Sequence, residues 1–214
     1  MLVRLSMLCF VLATSAMAVV PKCGAATIYD ADFSLADKGA WGNSNDGVSQ
    51  DVTGVNWTVD VSNSGIAADS STNDFRTKGG VFTIQDIGGI AVWSADPIDV
   101  SLVSSVALMS DVAVTGLGAN SAAEFLRFYY QLDGADAVET DFSSGGSLSL
   151  PIDVSSGSAL VVGFSANVNG TGDGWEISNL TVDAVPEPTS WAVAVLACLV
   201  LTGVHRRRIA GRRP

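Results

Sequence analysis

Between residues 27 and 184 the chain has no histidine, no cysteine and only four basic residues, Lys38, Arg76, Lys78 and Arg127. The first two absences exclude nucleophilic catalysis on a Ser-His or Cys-His pattern, because neither the base nor the thiol is present. Zinc sites built from Cys and His are excluded for the same reason. The single histidine, His205, lies near the C-terminus, and Cys9, Cys23 and Cys198 lie outside this stretch, so no disulfide staples it. A stretch of this size, about 158 residues, buries roughly 70% of its unfolded surface and needs no staple.

The scarcity of cations has its own consequence. Four basic residues face 21 acidic ones over 27–184, a formal charge of −17. Nucleic acid, which is held through clustered Lys and Arg, is excluded as a partner. A surface this acidic favours solubility and attracts divalent cations. The same stretch also lacks any long apolar run, so the apolar excess of a chain that is 48% hydrophobic sits in two short blocks, 5–20 and 191–204.

Those blocks lie in two targeting segments. Residues 1–26 have the parts of a secretory signal peptide: Arg4 at the start, the apolar run, then small residues before a cut. Cleavage falls after Ala18 or after Ala26; the second position removes Cys23 and starts the mature chain at Thr27. Pro21 and Lys22 stand where small apolar residues precede a lipidated cysteine, which argues against a lipoprotein. The signal implies a Sec-type export machinery and a signal peptidase as partners.

Residues 185–214 begin with VPEPTS (185–190), continue with fourteen residues (191–204) of which only Thr202 is polar, and end in a basic tail (205–214) with Arg206, Arg207 and Arg208. A helix over 191–204 rises about 21 Å against a hydrocarbon core of about 30 Å, so it spans a membrane only with help from its flanks. The arginines stay cytoplasmic under the positive-inside rule, which places 27–184 outside.

This order of motif, short apolar helix and terminal arginine cluster resembles the PEP-CTERM sorting signal of Gram-negative bacteria that make exopolysaccharide. The resemblance covers about the last thirty residues. It implies a sorting motif at Val185, Pro186, Glu187 and Pro188, in which an exosortase reads the Pro-Glu-Pro core. It further implies a transient stay in the inner membrane, removal of the helix, and delivery of the ectodomain to the cell surface or extracellular matrix, with exopolysaccharide as a partner.

Across 27–184, short runs of strand-forming residues recur between turn signals, with no apolar period of helical length. The expected strands are 27–33, 57–61, 81–85, 90–93, 106–114, 125–132, 147–154, 160–168 and 175–182. In three of them alternation defines a face: Val106, Leu108, Ser110, Val112 and Val114; Leu126, Phe128, Tyr130 and Leu132; Leu160, Val162, Phe164, Ala166 and Val168. Dipeptides such as Gly79-Gly80, Asp133-Gly134 and Asp173-Gly174 supply tight turns. The expectation is an all-β, antiparallel β-sandwich, a jelly roll. The segments FLRFYYQLDG (125–134) and WEISNLTV (175–182) also resemble strands of MAM-like or concanavalin-like jelly rolls, a likeness that implies carbohydrate binding or adhesion.

Calcium is the metal this composition permits, since it takes hard oxygen ligands on loops. The run NVNGTGDGWE (167–176) offers Asn167, Asn169, Asp173 and Glu176, with Asp32 and Asp46 as further ligands if the first and last strands pair. Position twelve from Asn167 is Ser178, so the run is not an EF-hand. Glycan stacking requires surface rings beside polar groups. Trp41 and Trp93 are flanked by small polar residues and Tyr129 lies opposite the inward face of its strand, whereas Trp57 and Trp175 read as core. Glu124, Glu139 and Glu176 form no compact pair, so the expectation is a non-enzymatic structural or weakly glycan-adhesive domain. The alternative is a polysaccharide-processing enzyme that uses carboxylates alone.

Overall fold

The computed structural model describes residues 25–43, 47–66, 73–115, 124–142, 144–170 and 172–185. Residues 1–24 of the signal segment, Asp46, and everything from Pro186 on, including Glu187, Pro188, Arg206, Arg207 and Arg208, lie outside the described residues. No helix among the described residues is long and apolar enough to cross a membrane.

In chain order the described strands are β1 (Ala26–Asp30), β2 (Gly39–Asn43), β3 (Gly47–Asp51), β4 (Trp57–Asn63), β5 (Asp74–Lys78), β6 (Val81–Gln85), β7 (Ile90–Ala95), β8 (Ile98–Asp99), β9 (Ser105–Thr115), β10 (Phe125–Leu132), β11 (Val138–Asp141), β12 (Gly146–Asp153), β13 (Ala159–Asn167) and β14 (Gly174–Ala184). They form two antiparallel sheets. The larger has the order β12-β9-β14-β6-β5-β2-β3 with β1 also on β14; the smaller has β11-β10-β13-β7-β4 with β8 also on β13. All nine expected strands are present. β2, β3, β5, β8 and β11 are additional.

Each sheet turns one face inward because its strands alternate. On β9, Val106, Leu108, Ser110 and Val112 are buried while their neighbours are not. The inward faces meet in an aromatic centre: Phe82 of β6 lies 5.6 Å from Trp57 of β4 and 5.4 Å from Phe164 of β13, and Trp93 of β7 stacks on Phe164 at 5.1 Å with 3° between planes. Burying each such ring is worth about 1.5–3 kcal/mol, with roughly 0.5–1.5 more for each well-placed aromatic pair.

Inward Ser110 is an exception with a cause. β14 carries a bulge between Ser178 and Thr181, where Asn179 takes φ 52°. A bulge frees a ladder carbonyl, and Ser110 Oγ donates to the Ser178 oxygen at 3.2 Å. On the outer face the next residue of β9, Asp111, accepts from Asn179 Nδ2 at 2.8 Å.

The first and last strands pair, with Ala26 opposite Ala184 and Asp30 opposite Thr181, so the chain enters and leaves the sandwich side by side. Acidic residues fasten four strand ends and the β4 bulge: Asp32, Asp51, Asp99 and Asp153 at or just beyond strand ends, and Asp60 within β4, each accept the N–H two residues on, from Ser34, Thr53, Ser101, Ser155 and Ser62 respectively.

Candidate glycan-binding surface

Two of the three candidate stacking rings are not available at the surface. Trp93 is fully buried, because the alternation Ala91, Trp93, Ala95 turns it inward between small neighbours and against Phe164. Tyr129 does lie on the outer face of the smaller sheet, but it is covered, with 8% of its surface exposed. Its ring lies over Gly163 of β13, where an added Cβ would come 2.5 Å from Tyr129 Cζ, and its hydroxyl bonds Ser94 on β7 beyond. Burial pushes the Tyr129 phenol above its ordinary value, a trend the Ser94 bond opposes.

Trp41 lies on the outer face of the larger sheet and is half-buried. Three strands build its surroundings. The Gly79-Gly80 turn, with φ of 64° and 89°, closes the β5–β6 hairpin in a register that sets Asp74 opposite Gln85 and Arg76 opposite Thr83. β2 pairs on the other side of β5, with Trp41 opposite Asp74 and Gly39 opposite Arg76. Gly39 takes φ 121°, and a Cβ there would run into the backbone of Phe75 and Arg76. Inward Thr77 is fully buried; its hydroxyl donates to the Leu35 oxygen and its backbone oxygen accepts from Asp37 N–H, which fixes the turn carrying Asp37 and Lys38.

The result is a set of ion pairs around one indole. The Arg76 guanidinium sits over the Trp41 ring, 4.8 Å from its centre. It bonds Asp37 at 2.9 Å and lies 2.8 Å from Asp74 Oδ1 through Nε, a contact that is electrostatic rather than a directed hydrogen bond. Lys78 reaches the other Asp74 oxygen at 3.2 Å, and Lys38 pairs with Asp51 at 2.7 Å. Asp74 is 3% exposed although it lies on an outer face. Glu176 falls two strands further along the row Arg76, Thr83, Glu176, about 10 Å away at the ordinary strand spacing.

Of the calcium ligands expected from sequence, Asp46 lies outside the described residues, and Asp32 and Glu176 occupy different places on the fold. Glu176 is on this sheet face, and Asp32 is turned onto Ser34 in a strand-end turn that lowers its pKa. The first and last strands do pair, with Asp30 opposite Thr181 and Ala31 N–H on the Leu180 oxygen, which leaves the residue before Asp32 four residues and about 13 Å along the strand from Glu176. Among the described residues no group of three or more His, Cys, Asp or Glu is placed to share a metal ion. Around Asn167, Asn169 and Asp173 the structure supplies other oxygens. Glu124 accepts Asn169 N–H at 3.1 Å and Asp86 accepts Gly170 N–H at 3.2 Å. The second oxygen of Glu124 and the Asn167 side-chain oxygen are buried with no protein hydrogen bond.

A shallow groove at the β14 bulge is lined by Met109, Asp111, Ser147, Asn179, Thr181 and Asp183. Its two carboxylates are engaged, Asp111 by Asn179 and Ser147, and Asp183 by Thr27. The bonds from Asn179 and Ser147 hold Asp111 below the usual carboxylate range, the opposite of what a general acid needs. Every carboxyl shift resolved among the described residues is downward.

No protein-family model and no curated protein matches the chain. Among solved structures it is similar to TmCBM61 in complex with beta-1,4-galactotriose, at 12% identity and a TM-score of 0.38 over 60% of this chain and 88% of that one. It is similar to the CBM22-1 xylan-binding domain from Paenibacillus barcinonensis Xyn10C at 12% identity, with a TM-score of 0.31 over 76% of this chain and 97% of that one. A third similarity, to the enzymatically active domain of bacteriophage CBA120 tailspike protein 4, has 15% identity and a TM-score of 0.40, covering 61% of this chain and 19% of that one.

Proposed function

We propose that the chain is an exported surface or matrix protein, sorted by an exosortase through Val185, Pro186, Glu187 and Pro188, whose jelly-roll sandwich is non-enzymatic and adheres weakly to glycans. Trp41 carries the adhesive part: it is the candidate ring on an outer face that stays partly exposed, beside side chains already fixed in place. The chain's own sequence supports the sorting part through its motif, apolar run and arginines.

The engaged carboxylates support a binding rather than a hydrolytic role. Glycosidases need one carboxyl held protonated near neutral pH and a second left ionised, whereas the bonds from Asn179 and Ser147 to Asp111 in the groove favour its ionised form. Incubating the full chain with a soluble polysaccharide separates the two roles. Retention on the polysaccharide without release of reducing ends is the expected result, and release of reducing ends would establish the enzymatic alternative.

Calcium remains a structural proposal centred on the turn of Asn167, Asn169 and Asp173. The two buried oxygens of Glu124 and Asn167 that lack protein partners support it, and Glu124 takes the place that the sequence suggested for Glu176.

A further inference from the structure

Three of the four cations of residues 27–184 lie in one patch. Lys38 pairs with Asp51, Arg76 with Asp37 and Asp74, and Lys78 with Asp74. Three positive and three negative charges cancel there, so the whole formal charge of −17 resides on the rest of the domain, where Arg127 is the remaining cation. At physiological salt an exposed charge is screened beyond about 8 Å, and Glu176 stands about 10 Å from Arg76 along the sheet row. The patch is a neutral island on an acidic surface.

Trp41 stands in that island. Its indole has one face under the Arg76 guanidinium, and its strand, β2, is one from the sheet edge, with β5 on the inner side and only β3 beyond. The ion pairs to Asp37 and Asp74 hold the Arg76 guanidinium in a fixed plane, and a group fixed before binding loses little entropy when it takes up a ligand's hydroxyls. Pairing also leaves no net positive charge to draw an anion, while the surrounding acids repel one.

Resting on the adhesion proposed above, we infer that the island of Trp41, Asp74, Arg76 and Gln85 binds an uncharged polysaccharide, and that the acidic remainder of the domain rejects polyuronates and sulfated glycans. The ligand's hydroxyls meet the planar Arg76 and Gln85 groups, with buried Asp74 holding the guanidinium from behind, and a sugar ring packs on the indole.

Affinity electrophoresis of the full chain, in native gels holding xylan or galactan as the neutral probe and alginate as the anionic one, tests this. Binding to a neutral probe should be at least about tenfold tighter than to alginate, and unchanged between about 50 and about 300 mM salt. Trp41→Ala should weaken it by at least about tenfold, and Trp41→Phe less. Gln85→Ala, which leaves the ion pairs intact, serves if Trp41→Ala fails to fold. Tighter or salt-sensitive binding to alginate overturns the neutral specificity and leaves glycan adhesion standing. Neutral binding unchanged in both Trp41→Ala and Gln85→Ala, with wild-type melting, overturns the island as the site. Retention on no polysaccharide overturns both the inference and the adhesion beneath it. A Trp41-dependent doubling of mass in sedimentation would assign the island to a second copy of the chain and overturn it as a glycan site.

Discussion

Tyr129 lies across Gly163, and its hydroxyl reaches Ser94 one strand beyond, so the ring tiles the outer face of three neighbouring strands. Gly163→Ala puts a methyl carbon where the ring lies and should cost about 1–3 kcal/mol, as overpacking does. Tyr129→Phe removes one hydrogen bond and should cost about 1 kcal/mol. Chemical denaturation measures both. Polysaccharide binding should be unaffected by Tyr129→Phe, and a loss of binding in a folded variant would return Tyr129 to the ligand surface.

Acid should destabilise the domain through its strand-end turns. Bonds from Ser101 and Ser155 lower the carboxyls of Asp99 and Asp153 in the fold, and backbone bonds from Ala159 and Ser158 lower that of Asp133. A group whose folded pKa is depressed contributes stability above its unfolded pKa, about 4, and that stability is lost as pH falls through the folded value. The melting temperature should therefore hold from about pH 7 to about pH 5 and fall below about pH 4. Asp99→Asn and Asp153→Asn, which keep an acceptor oxygen but do not titrate, should make the fall shallower. A melting temperature that rises on acidification would show that relief of the −17 self-repulsion outweighs the turns.

Calcium should raise the melting temperature above its value in magnesium at equal ionic strength or in chelator, since magnesium demands a stricter octahedron. Saturation a hundredfold above the dissociation constant gives about 2.7 kcal/mol. Glu124→Gln should remove the difference. Identical melting in all three media would mean that Glu124 and Asn167 hold no cation.

Replacing Glu187 should leave the protein in the inner membrane, and mass spectrometry of the surface-released form should find a C-terminus close to Pro188. An intact Arg213-Pro214 end on the released form contradicts sorting by an exosortase.

Much of the sandwich was legible because its central strands alternate strictly. β9, β10, β13 and β14 each present apolar residues at every second position. β5 was missed because its outward residues are Asp74, Arg76 and Lys78, so the strand reads as a polar stretch until their ion pairs are seen. β2 was missed because glycine occupies two of its five positions, Gly39 and Gly42, leaving no clear period. Trp93 misled because its polar neighbours suggested exposure, although Ala91 and Ala95 at alternate positions already marked an inward face with room for an indole. Asp-x-Ser/Thr, repeated at four strand ends and at the β4 bulge, was a readable signal that Asp32 belongs to a turn. Cross-strand relations left no such trace: neither the offset of Asp30 from Glu176, nor the glycine beneath Tyr129, nor the gathering of three cations around Trp41 follows from local sequence.

The pairing of Ala26 with Ala184 also decides how the domain answers a pull. Tension applied between its two ends would act on neighbouring antiparallel strands at the same end of the sandwich. It would open the β1–β14 ladder one bond at a time, like a zipper, instead of shearing every bond together. A chain held by both ends would yield at low force, whereas one anchored through a single end carries no load across that ladder. The topology suits a domain hung from one attachment point, with the face that carries Trp41 outside the line of force.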